Sequence, residues 1–320
     1  MTGPLRRIAA WSALGLLFAA AGLSAQVPEP AAPFPPYTAE QEPITPIPPP
    51  PAADPLKLAL GKSLFEDPRL SRDGTRSCLS CHDIRTNGAG NTRRDMSFDG
   101  SPLRFSTSTV FNAALSFRLG WAGGFRTLEA QAAGSIESPD IMGTSIDDVL
   151  GRLRDDPEMA ARFRAAYGGE PDRASLLDAI ATFERSLVTP DSPFDRWLKG
   201  DDGALPADAQ DGYRLFKSLG CVSCHQGVNV GGNLFQRHGI FHPLASPDPE
   251  VLRVPSLRNI ATTAPYFHDG SAATLEGAVR NMALAQLDRT LSDQQVTAIV
   301  AFLRSLTGTY EGHPVTAKVP

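Results

Sequence analysis

Two five-residue stretches, "CLSCH" at 78–82 and "CVSCH" at 221–225, constrain what this chain can fold into more than any other feature. Each is C-x-x-C-H, in which two cysteines bond covalently to a haem and the histidine binds its iron. The chain has four cysteines, at 78, 81, 221 and 224, so both pairs are consumed and none is left for a disulfide. A thioredoxin-type or zinc site would not require the histidine at either place. A fold around two such motifs must cover two large, flat, apolar groups, and helices before and after each attachment point can do so.

The flanks of the two motifs repeat. "LGKSLF" (60–65) precedes the first and "DGYRLF" (211–216) precedes the second, while "AIATFERSL" (179–187) matches "AIVAFLRSL" (298–306) at most positions. Ser292 and Gln295 form a capping box. Val296, Ile299, Val300, Leu303 and Leu306 follow at helical spacing, with Gly308 as a stop signal. In the first copy Leu176, Leu177, Ile180, Phe183 and Leu187 make the same stripe, ended by Pro190. Strand-like alternation is sparse. The expected architecture is all-α: two cytochrome c-like helical haem domains in tandem, 54–200 and 201–320, joined near "VTPDSPFDRWLKGDDG" (188–203).

The first 25 residues read as a secretory signal peptide, with Arg6 and Arg7 before an apolar run and small residues near Ala25. Export to the periplasm agrees with covalent haem attachment. Residues 26–53 are dense in proline, including "PIPPPP", and read as an extended tether or a strap over the surface. Loss of Arg6 and Arg7 takes the formal charge from −5 to −7. That mild acidity argues against nucleic acid as a partner.

The second axial ligand decides what each iron can do: a methionine saturates it for electron transfer, whereas an open position admits peroxide. Beyond His225 the only methionine is Met282, which is favoured over His238, His242, His268 and His313. No histidine lies between His82 and His225. Met96, Met142 and Met159 are the only soft candidates there, so the iron above His82 is expected to be open or weakly ligated.

From about Leu56 to Gly308 the chain resembles the bacterial diheme cytochrome c peroxidases and the related MauG-type enzymes. The resemblance rests on "LGKSLFEDPRLSRDGTRSCLSCH", "TVFNAAL", "TLEAQAAG", "AIATFERSLVTPDSPFDRWLKGD", "GCVSCHQGVNVGG", "VPSLRNIATTAPYFHDGS" and "AVRNMALAQL". It implies that the C-terminal haem takes electrons from a small cytochrome c or cupredoxin, and that the N-terminal haem meets hydrogen peroxide. Met282 matches the family's methionine ligand, where MauG itself has tyrosine. Trp121 matches the tryptophan between the haems. Counting back from "TVFNAAL", Phe98 stands where the peroxidases place a switching histidine. The family's acid before Gln-Ala is Ala130 here, leaving Glu129, one residue earlier, as the tentative catalytic substitute. The resemblance also implies calcium at Thr263 and Pro265, with Ser106 in place of a contributing asparagine. It gives His268 a haem-propionate or interface role and makes a homodimer an expectation. A cytochrome-c-type peroxidase is thus the leading expectation. A MauG-like oxidase acting on a protein partner and a non-catalytic diheme electron carrier are the alternatives.

Overall fold

The computed structural model describes residues 42–318. The expected leader and residues 26–41 of the proline-rich segment lie outside them. Ten α-helices run in order: α1 Pro55–Phe65, α2 Cys78–Cys81, α3 Leu128–Glu137, α4 Ile146–Arg154, α5 Pro157–Tyr167, α6 Arg173–Ser186, α7 Pro193–Leu198, α8 Ala207–Ser218, α9 Leu275–Leu287 and α10 Asp293–Arg304. Two short antiparallel ribbons complete the described residues: β1 Phe235–Arg237 with β2 Val251–Arg253, and β3 Thr309–Tyr310 with β4 His313–Pro314. No helix among the described residues is long and apolar enough to cross a membrane.

The repeat read from sequence is a repeat in packing. Helix α1 crosses α6 at Gly61, where a methyl would fall on the carbonyl of Ala179 and 2.9 Å from Phe183 Cβ. Helix α8 crosses α10 at Gly212 in the same way, against Ala298 and 3.0 Å from Phe302 Cβ. Both crossings need a residue without Cβ because backbone meets backbone. The apolar stripes of α6 and α10 are buried on these crossings throughout. The Ser292–Gln295 capping box is present. Gly308 does not cap α10, which ends at Arg304. It is needed because a side chain there would strike the backbone of Thr189 and Pro190.

Each half is completed by a segment from the far end of the chain. Residues 42–47 lie along the C-terminal half. Ile44 and Ile47 are buried there, and Gly227 donates its N–H to the Pro43 carbonyl at 2.8 Å. The buried Arg258 guanidinium bonds Thr45 O, Val228 O and Asp195 Oδ1, each at 2.8 Å. Glu42 accepts from Tyr213 and pairs with Lys217. Part of the proline-rich segment is therefore core. Conversely, Tyr310 packs on Phe111, with ring centres 5.0 Å apart, and Val315 is buried among Phe65, Ile84, Val110, Phe183 and Leu187 of the N-terminal half.

Substituting Gly61→Ala or Gly212→Ala should destabilise the fold by about 1–3 kcal/mol through overpacking. Gly151→Ala, in α4 with open space around it, should be neutral or stabilising by up to about 1 kcal/mol. Denaturant midpoints of the three variants check this.

Candidate haem sites

Both motif histidines are oriented by a backbone carbonyl. Nδ1 of His82 lies 3.1 Å from Gly88 O, and Nδ1 of His225 lies 3.2 Å from Val230 O. A carbonyl only accepts, so Nδ1 carries the proton and Nε2 presents its lone pair, as an iron ligand must. Burial holds both imidazoles below their usual range, His225 at about 4, so the neutral, ligating form dominates at neutral pH.

In the C-terminal half, Cys221, Cys224, His225 and Met282 line one cavity, walled by Phe216, Leu252, Tyr266, Ile299 and Leu303. This donor set in an apolar cleft suits a covalently held haem. Two buried nitrogens in the same cavity, His238 Nδ1 and His268 Nε2, have no protein partner. His238 Nε2 lies 2.8 Å from Pro249 O, so Nε2 carries the proton and Nδ1 presents a lone pair, which suits a donor rather than a carboxylate. His238 was the less visible member, because its pairing with His268, at 5.1 Å between ring centres, exists only in space.

Trp121 lies where the halves meet. Its Nε1 donates to Ser106 O at 2.8 Å, its carbonyl accepts from Arg253 N at 3.0 Å, and its ring stands edge-on to His268 at 6.2 Å. Thr263 and Pro265 lie on the wall of the same cavity with Ser106, whose hydroxyl donates to Phe267 O at 3.0 Å. No cluster of three or more His, Cys, Asp or Glu side chains suited to a metal occurs among the described residues.

In the N-terminal half, Cys78 and Leu79 of α2 pack against Phe65, Ile84, Phe111 and Phe183. Met142 and Met159 are buried in a separate core, with Leu60, Leu150 and Phe163. Met96 is exposed. Phe98 is held between two guanidinium groups, Arg72 at 4.0 Å and Arg76 at 3.9 Å from the ring centre. Arg76 also donates to the carbonyls of Met96 and Ser97. The loop is fastened, and the residue at its critical position cannot ligate iron.

The repeat extends to a pair of helices that the sequence comparison had not aligned. Thr127 caps α3 by accepting from Ala130 N, and Thr274 caps α9 by accepting from Gly277 N. Glu129 then pairs with Arg185 of α6, as Glu276 pairs with Arg304 of α10 at 3.2 Å. Glu129 is therefore one of two equivalent inter-helix ion pairs, and Ala130 is exposed. Counting on from the caps, Met282 corresponds to Ser135 and Ala278 to Gln131. Gln131 Nε2 donates to Ser135 Oγ at 2.9 Å. Aligning "TLEAQAAGS" with "TLEGAVRNM" would have found this in the sequence.

Two cysteine–histidine haem motifs in tandem helical halves define a diheme c-type cytochrome. Residues 55–203 match the model of the di-haem cytochrome c peroxidase family, and 209–307 match that of cytochrome c. Cytochrome c551 peroxidase of Nitrosomonas europaea is 39% identical over 312 residues, covering 92% of this chain and 89% of that protein. Cytochrome c peroxidase Ccp of Escherichia coli K12 is 39% identical over 287 residues, covering 84% of this chain. The chain spans 62% of that relative's length. The crystal structure of a MauG-like protein associated with microbial copper homeostasis superposes with a TM-score of 0.70 at 27% identity, covering 82% of this chain and 93% of that one. The chain belongs to the di-haem cytochrome c peroxidase family.

Since the Glu129–Arg185 pair is partly exposed, Glu129→Gln should cost no more than about 1 kcal/mol, and Glu276→Gln a similar amount. Matched thermal denaturation of the two variants tests their equivalence.

Proposed function

We propose that this protein reduces hydrogen peroxide to water in the periplasm, with electrons from a small cytochrome c or cupredoxin. The carrying observation is an asymmetry inside the repeat: Met282 on α9 corresponds to Ser135 on α3. Cys221 and Cys224 would hold the haem that receives electrons, with His225 and Met282 as the side chains that would bind its iron. Cys78, Cys81 and His82 hold the other haem. Ser135 and Gln131 would stand there in place of a sulfur ligand and offer hydrogen bonds to peroxide. Trp121, bonded to both halves, lies on the route between them. The fastened Phe98 loop supports a site open at rest, with no switching ligand to displace. Calcium at Thr263 and Pro265 and a homodimer belong to this reading as family features.

The Phe98 loop and the likeness to a MauG-like structure also favour a second reading, in which the two haems together withdraw electrons from a protein partner.

The experiment is a low-temperature electron paramagnetic resonance spectrum of the oxidised diheme protein, then peroxide with and without reduced cytochrome c. The peroxidase reading expects one high-spin and one low-spin haem and donor-dependent peroxide loss. A long-lived oxidised species that ignores small donors supports the second reading. Two low-spin haems inert to peroxide sink both. Ser135→Met should convert the high-spin signal to low-spin and abolish peroxide loss. Met282→Ala should remove the low-spin, high-potential signal.

A further inference from the structure

Glu184 is the one position of the α6 stripe where the repeat breaks toward charge. It aligns with Leu303 of α10, one residue before the paired arginines Arg185 and Arg304. Leu303 lines the cavity that contains Cys221, Cys224 and His225. Glu184 is 7% exposed, and its Oε2 is buried without a hydrogen-bond partner. A buried carboxyl oxygen without a partner costs about 1–3 kcal/mol when neutral and more when charged. Its charge reaches Cys78, the first haem-attachment cysteine, whose thiol is pushed up to about 12 chiefly by burial and then by Glu184. Glu184 is itself pushed up to about 8, first by burial and then by the Glu129 carboxylate, with Arg185 opposing. The charged groups acting on it are Glu129 of α3 and Arg185 of α6, with Asp178 3.9 Å from Arg185.

We propose that Glu184 is the proton-carrying acid of the N-terminal haem site, refilled from solvent past the Arg185–Glu129 pair. The inference rests on the peroxidase reading for its purpose. Reducing one peroxide breaks the O–O bond, takes two electrons from the reduced donor and two protons, and forms two waters. Glu184 supplies one of those protons and regains it from water. Ala130 is a methyl, and Glu129 is held by Arg185. Glu184 is a buried acid within electrostatic reach of both that surface pair and Cys78. As an electron arrives at the N-terminal haem, the proton affinity of Glu184 rises; its ionisation in turn favours the oxidised haem.

The test is the midpoint potential of each haem against pH in the intact diheme protein, with Glu184→Gln, Glu184→Leu (the residue of the other half) and Glu129→Gln. In the wild type, the N-terminal potential should fall with rising pH where Glu184 ionises, while both Glu184 variants should be flat there. Glu129→Gln should keep the slope. Peroxide turnover in Glu184→Gln should drop by at least about tenfold. A redox-difference infrared spectrum should carry a protonated-carboxyl band that Glu184→Gln removes. An unchanged potential slope in Glu184→Gln overturns the proposal, as does unchanged turnover. Because slope and infrared band need no peroxide, a wild type that keeps both but consumes no peroxide sinks the peroxidase reading instead. Glu184→Gln preserves shape, and a second readout confirms the buried acid without haem redox change. Because the folded pKa, about 8, lies above the unfolded one, the unfolded chain gives up the proton first as pH rises. Relative to Glu184→Gln, wild-type stability should therefore decline between about pH 4.5 and 8; parallel stability curves would overturn the assignment of a buried protonated acid.

Discussion

The hydroxyl of Thr189 accepts two hydrogen bonds, from Asn112 Nδ2 at 2.8 Å and Asn259 Nδ2 at 2.9 Å, and the register of the two halves depends on it. All three residues are buried. A hydroxyl oxygen has two acceptor sites, and here each half fills one. The two asparagines are repeat equivalents, both in the left-handed region, with φ of 61° and 59°. Asn112 Oδ1 accepts from Thr189 N, and Asn259 Oδ1 accepts from Gly308 N, the matching position one repeat later. Each half also reaches into the other. Asn87 Nδ2 donates to Thr262 O, and Asn229 Nδ2 donates to Asn112 O and Ser116 Oγ. Asn87 precedes Gly88, whose carbonyl orients His82, and Asn229 precedes Val230, whose carbonyl orients His225. The bonds that join the halves are thus one residue away from those that aim the motif histidines. Losing one would leave a buried amide unsatisfied, at about 1–3 kcal/mol, and would loosen an iron ligand's support in the same step.

Much of this was legible in the sequence because it is local. The two C-x-x-C-H motifs, the Ser292–Gln295 capping box and the apolar stripes of α6 and α10 each lie within about three turns of helix. Glu129 shows where local reading ends. Its sequence neighbours suggest a displaced catalytic acid, but its partner Arg185 is 56 residues away and visible only after folding. The proline-rich segment fails differently. Composition identifies an extended chain, but not that Ile44 and Ile47 find a core at Asp195 and Arg258. Gly308 was read as a helix stop because glycine commonly serves that role; its actual constraint is the backbone of Thr189, an element distant in sequence. Glu184 is visible in the sequence only as a mismatch with Leu303 between two aligned stretches. A stripe reports which face is buried. It does not report that one buried member is an acid.

The two halves share their helix crossings, caps, inter-helix ion pairs and histidine supports, so differences between them stand against a controlled background. Among them are Met282 against Ser135, Leu303 against Glu184, and Arg258 against Phe111. The last is architectural, since Arg258 organises the N-terminal strap while Phe111 receives Tyr310 from the opposite terminus. The other two change what the site can do. In the proposed reading, a hydroxyl where the other half has Met282 would leave a ligand position free, and a carboxylic acid where the other half has Leu303 would add a buried proton to the N-terminal site. Neither change alone makes a reactive centre, because an open iron without a proton source cleaves O–O slowly, and a buried acid beside a saturated iron has nothing to protonate. Together, in the proposed reading, they would divide the labour between two units matched in their helix crossings and caps. Trp121, bonded to Ser106 on one side and to Arg253 on the other, stands where that division has to be bridged.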